Sequence, residues 1–106
     1  MRSQSASVQT YHERADEIRR VGRYAWALAA CGRRTEAEAK ITEATLGSAG
    51  FKNYDLGGVK YYIGEAWRVL GEKAKARAAF DEAVALCPEG SVATSVGRAM
   101  AKLRRS

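Results

Sequence analysis

Two stretches of this chain, placed one above the other on Gly32 and Gly71, are versions of one segment: GRRTEAEAKITEATL over GEKAKARAAFDEAVA. Gly32/Gly71, Ala37/Ala76, Ala39/Ala78, Glu43/Glu82 and Ala44/Ala83 coincide, and Ile41 matches Phe80 in character. An internal repeat constrains the fold more tightly than composition does, because a short unit cannot bury its apolar face alone and must stack on its copy. In each unit the glycine follows an apolar run of helical period and precedes another, so the repeated element is a pair of helices joined at a glycine turn.

The periodicity fills in the rest. Val8, Tyr11, Ala15, Ile18, Val21, Ala25 and Leu28 step by threes and fours, which predicts one long helix from about residue 7 to residue 31, with Gly22 a place to bend. Thr35 with Glu38 fits a capping box opening a second helix, whose inner face takes Ala37, Ile41 and Ala44, with Leu46 a further candidate. Residues 47–56, GSAGFKNYDL, have two glycines and no period, and read as a loop. A third helix is expected from Gly57 to about Leu70 on Val59, Ile63, Ala66, Trp67 and Leu70. A fourth follows from about Lys73 to Leu86 on Ala76, Ala79, Phe80, Ala83 and Leu86, before Pro88 stops it. Ser91 can cap a last helix carrying Val92, Val96, Met100 and Leu103 on one stripe. Abundant alanine and a single proline favour helix throughout. The expected fold class is all-α, about five helices in stacked antiparallel hairpins.

The second hairpin resembles the tetratricopeptide repeat, a helix–turn–helix unit of about 34 residues. Counting from Gly57, the family's small residue falls on Gly64, its large residue on Trp67, its turn glycine on Gly71, its alanines on Ala76 and Ala83, its aromatic on Phe80 and its terminal proline on Pro88. Counted from Ile18, the first hairpin places Ala25, Leu28, Gly32, Ala37, Ile41 and Ala44 as the family does, but Ala49 stands at the proline position. The turn glycines lie 39 residues apart, five more than the family's period. The resemblance implies a superhelical stack organised as an N-terminal helical extension (1–17), repeat 1 (18–51), repeat 2 (57–90) and a C-terminal capping helix (91–106). It also assigns Trp67 and Phe80 to packing.

Members of that family hold a peptide or helix of another protein on the concave face lined by the first helix of each repeat. Carried over, that face takes Arg19, Gly22, Arg23, Trp26 and Ala30 from the first hairpin and Gly58, Tyr61, Glu65 and Arg68 from the second. Trp26 and Tyr61 lie off the apolar stripes of their own helices, and an aromatic beside arginines suits recognition of an acidic, partly apolar segment. The candidate partner-binding residues are therefore Arg19, Arg23, Trp26, Tyr61 and Arg68. The bland alternative packs Trp26 on the loop 47–56 and leaves the arginines solvated. The implied role is an adaptor or chaperone-like protein in the cytoplasm. The rival roles are a homodimer formed through the long first helix and, less favoured, nucleic-acid binding.

The net charge of +6 is concentrated late, at Arg98, Lys102, Arg104 and Arg105, which suits either an acidic partner or a solvated helix end. Against nucleic acid stand the acidic residues mixed among Arg19, Arg20, Arg23, Arg33 and Arg34. Cys31 and Cys87 have no CxxC spacing and are expected to be buried, reduced thiols. His12, the only histidine, has no nucleophile or metal-ligand partner at a useful spacing, and neither GxxxxGK[ST] nor GxGxxG occurs. No catalytic residue, metal or cofactor is expected. No apolar run has the length of a membrane span.

Overall fold

In the computed structural model the chain forms five helices: α1 (Arg2–Ala30), α2 (Arg34–Gly47), α3 (Asn53–Val69), α4 (Lys73–Leu86) and α5 (Ser91–Arg105). The structure describes the backbone of residues 2–51 and 53–105 and the side chains of residues 10–51 and 55–105. Val8, expected on the apolar face of α1, lies outside the described side chains. Among the described residues there is no strand, and no helix is long and apolar enough to cross a membrane.

The two glycine turns are built alike. Gly32 and Gly71 take φ of 76° and 86°, a left-handed conformation that costs any residue with a Cβ. At the first turn Arg33 N–H donates to Leu28 C=O at 2.9 Å and Gly32 N–H to Ala29 C=O at 3.0 Å; at the second, Glu72 N–H donates to Trp67 C=O at 2.9 Å and Gly71 N–H to Arg68 C=O at 3.1 Å. This paired closure of a helix C-terminus is the Schellman arrangement. Each following helix starts at once, with no side-chain cap. The capping box expected at Thr35 and Glu38 is not formed: the helix opens two residues earlier, with Arg33 at the N-cap, and Arg33 pairs with Glu36 at 2.5 Å instead.

α1 packs on α2 and α3, α3 on α4 and α5, and α4 on α5. The result is a slab of 53 × 31 × 16 Å with α1, α3 and α5 in one layer and α2 and α4 in the other. Its thin dimension suits two layers whose axes lie about 8–10 Å apart. Ala25, Leu28, Ala37, Ile41, Ala44, Val59, Ile63 and Ala66 form one buried cluster, and Ala76, Phe80, Ala83, Val96, Ala99 and Leu103 a second. Gly64 makes the close approach possible in the second hairpin, since a Cβ there would stand 2.5 Å from the Phe80 ring.

Three local expectations are corrected, and that for Trp67 is refined. Helix α3 begins at Asn53, not Gly57, because Gly57 and Gly58 lie within the helix: a Cβ at Gly57 would collide with Cys87 Sγ, so the glycine serves packing against the end of α4. Leu46 is 73% exposed, since the inner stripe of α2 continues from Ala44 to Ser48 and leaves Leu46 between its turns. Trp67 is only half-buried; it packs against both clusters while Lys75 Nζ stands 4.5 Å from its ring centroid. Cys31 is exposed and Cys87 half-buried, and neither is in a disulfide among the described residues.

Candidate functional site

The layer formed by α1, α3 and α5 carries most of the residues expected at a partner surface. Trp26 of α1 meets Tyr61 of α3 edge to face, with ring centroids 5.9 Å apart, and lies 6.3 Å from Tyr62. The approach of the helices depends on Gly22, whose Cβ would sit 3.3 Å from Tyr62 Cβ. Trp26 therefore packs on α3 and not on the loop before it, and it remains half-buried.

Tyr61 leads to a buried acid. Its hydroxyl donates to Glu65 Oε2 at 3.1 Å, and Arg68 Nε donates to Glu65 Oε1 at 2.7 Å. Glu65 is 3% exposed, a burial that a carboxylate tolerates because both oxygens accept charge-assisted or phenolic hydrogen bonds. The spacing of 61, 65 and 68 puts all three on one stripe of α3. Burial, reinforced by the Glu65 charge, pushes the Tyr61 hydroxyl up to about 12, while Ser95 of α5, close to the same hydroxyl, works in the opposite direction. Arg68 spends only Nε on Glu65; its terminal nitrogens have no partner among the described residues.

Arg19 is differently placed. It pairs with Asp16 and donates through Nη1 to Asp55 Oδ1 at 3.0 Å, while Tyr11 Oη donates to Asp55 Oδ2 at 2.9 Å. Burial works against the cation, but the hydrogen bonds and charges of Asp16 and Asp55 outweigh it and raise the pKa of Arg19 above its ordinary value. Tyr11, Arg19 and Asp55 line an open cavity of about 1030 Å³, together with His12, Gly58, Tyr62, Cys87 and the chain from Glu89 to Val92. Arg23 is exposed and forms no ion pair among the described residues. Of the five expected residues, the structure thus joins Trp26, Tyr61 and Arg68 in one continuous wall, ties Arg19 to two acids at the other end, and leaves Arg23 in solvent.

Asp55, Tyr62 and Ser95 were not singled out in the sequence. Asp55 and Ser95 carry no local signal, because their roles arise only from helices that meet across the layer. Tyr62 had one, since it adjoins Tyr61 as a second large aromatic.

Comparison with known proteins agrees with this geometry. The tetratricopeptide repeat family model matches residues 58–89. No curated protein and no solved structure matches the chain. Those residues run from the second turn of α3 through the end of α4, the hairpin in which Gly64, Phe80 and the Gly71 turn interlock. Over those residues the second hairpin of this chain is similar to a tetratricopeptide repeat.

Proposed function

We propose that the chain is a cytoplasmic adaptor, chaperone-like in role and without catalysis, that holds a peptide or helix of a partner protein along the α1–α3–α5 layer. In this reading residues 18–51 form a first repeat beside the matched one, residues 1–17 an extension and residues 91–106 a closing helix. A tetratricopeptide repeat points to protein–protein interaction in general. The observation that carries the finer reading is the wall of Trp26, Tyr61 and Arg68, where aromatic area at low entropy cost adjoins a guanidinium with unused donors. Such a surface suits a partly apolar, acidic segment, with nucleic acid and membrane disfavoured as partners.

The test is selection of binders from a random peptide library displayed against the immobilised protein. The expected consensus mixes aliphatic or aromatic residues with Asp or Glu, and its members lose binding to Trp26→Ala and Arg68→Gln proteins that still melt cooperatively. Selection of peptides indifferent to both substitutions removes the reading.

One observation favours a second role. α1 is 29 residues long against 14 for α2, so it overhangs its hairpin partner by about 20 Å and offers an edge to another copy. A mass that doubles with concentration in sedimentation equilibrium, and returns to the monomer when residues 2–9 are removed, would support homodimerisation.

A further inference from the structure

The charge of this molecule is polarised along the groove. Helices α3 and α5 run parallel, each ending at the side of the Gly32 and Gly71 turns, and α4 starts there. Residues 68–77 and 98–105, on the turn side of those helices, carry eight basic residues and one acid, Glu72. Against a total of +6, the remainder of the chain is close to neutral. The opposite end holds the cavity lined by Asp55 and Glu89.

Three cations of the turn end lie along the groove. Tyr61 packs against the α5 cluster of Val92, Val96 and Ala99, and Ser91 and Val92 line the cavity with Gly58 and Tyr62, so the stripe of α5 that carries Ser91, Ser95 and Arg98 borders α3. Ten residues on from Gly58 is Arg68, and eleven on from Ser91 is Lys102, so the helical rise sets them at about one height on parallel helices. Arg98, exposed, stands three residues on from Ser95 on that stripe. Arg68 is oriented by buried Glu65, which takes Nε and leaves the terminal fork for a planar carboxylate.

We propose that the partner segment has its acidic part at the turn end, read by Arg68, Arg98 and Lys102, and its apolar part on Trp26 and the cavity beyond. This rests on the groove reading and adds to it the chemistry and the polarity of the ligand. A polypeptide with acids confined to one end matches the asymmetry. A nucleic acid does not, because its uniform charge would carry phosphates past Asp55 and Glu89.

The probes are two fluorescent peptides with the same leucine–phenylalanine block, one continued by a run of glutamates and the other by glutamines, and a thymidine oligonucleotide of matching charge. Anisotropy titrations at moderate salt are expected to give about tenfold tighter binding of the glutamate peptide, as a few exposed charge pairs supply. The ratio should fall to near one in Arg68→Gln/Arg98→Gln/Lys102→Gln and persist in Arg14→Gln/Arg20→Gln. Trp26→Ala should weaken both peptides alike. Equal affinity of the two peptides for the wild type, or a ratio that survives the triple substitution, overturns the polarity while leaving the groove intact. Failure of both peptides to bind, or indifference to Trp26→Ala, sinks the groove reading and the polarity with it. Tighter binding of the oligonucleotide than of the glutamate peptide would reassign the basic end to phosphate.

Discussion

At the scale of single residues, Gly64 and Tyr61 are under opposite constraints. Gly64 exists to admit the fully buried Phe80 ring, which has nowhere to retreat, so Gly64→Ala should destabilise the fold by about 1–3 kcal/mol in urea denaturation despite the better helix propensity of alanine. Tyr61 is a half-buried phenol beside a buried acid, and its consequence is a pH dependence. Below pH 10 the hydroxyl is protonated in both folded and unfolded chains and its contribution is whole. Between pH 10 and about 12 the unfolded chain releases the proton while the folded chain retains it, so stability falls as pH rises through that window. The melting temperature of the wild type should therefore decline more steeply there than that of Tyr61→Phe, and identical slopes would refute the assignment. The role of Gly64 was legible from its place in the repeat. The Tyr61–Glu65–Arg68 stripe was legible as a spacing, but that Glu65 is buried could not be read, because a glutamate on a helix is ordinarily solvated.

At the scale of elements, the helices were legible wherever apolar period and a terminating glycine agreed. They were misread where glycine had two meanings. Gly32 and Gly71 end helices through positive φ, whereas Gly57 sits inside α3 for close packing, and no local pattern separates the two uses. The turn glycines make a matched pair for experiment. A methyl group added at either would have no neighbour within 4 Å, so alanine at both sites meets only backbone strain. Each of Gly32→Ala and Gly71→Ala should cost about 1 kcal/mol or somewhat more, and by similar amounts. A much larger loss at one would mean that its turn does more than close a helix. The turns are also joined: Arg34 donates to Leu70 C=O at 3.1 Å and pairs with Glu72 at 2.5 Å, linking the start of α2 to the end of α3. Being exposed, that link should contribute only about 0–1 kcal/mol and weaken in salt.

At the scale of the whole molecule, stability has to come from neighbour contacts along a short stack, and α5 supplies a face that two hairpins cannot. It buries Val96, Ala99 and Leu103 against Ala76, Phe80 and Ala83. Ending the chain after Glu89 should uncover that cluster, giving loss of a cooperative melt or self-association detectable by light scattering; an unchanged monomeric melt would show that α5 is dispensable. The native thiols have a use that follows from where they stand. Cys31 is exposed beside the first turn, and Cys87 lines the cavity at the other end, roughly 20 Å away along α3. At that separation they cannot join to each other. They form instead a pair of chemical gauges, one at each end of the groove. Alkylation of Cys87 should slow when the cavity is occupied while Cys31 continues to react, so the ratio of the two labelling rates reports occupancy with no residue changed.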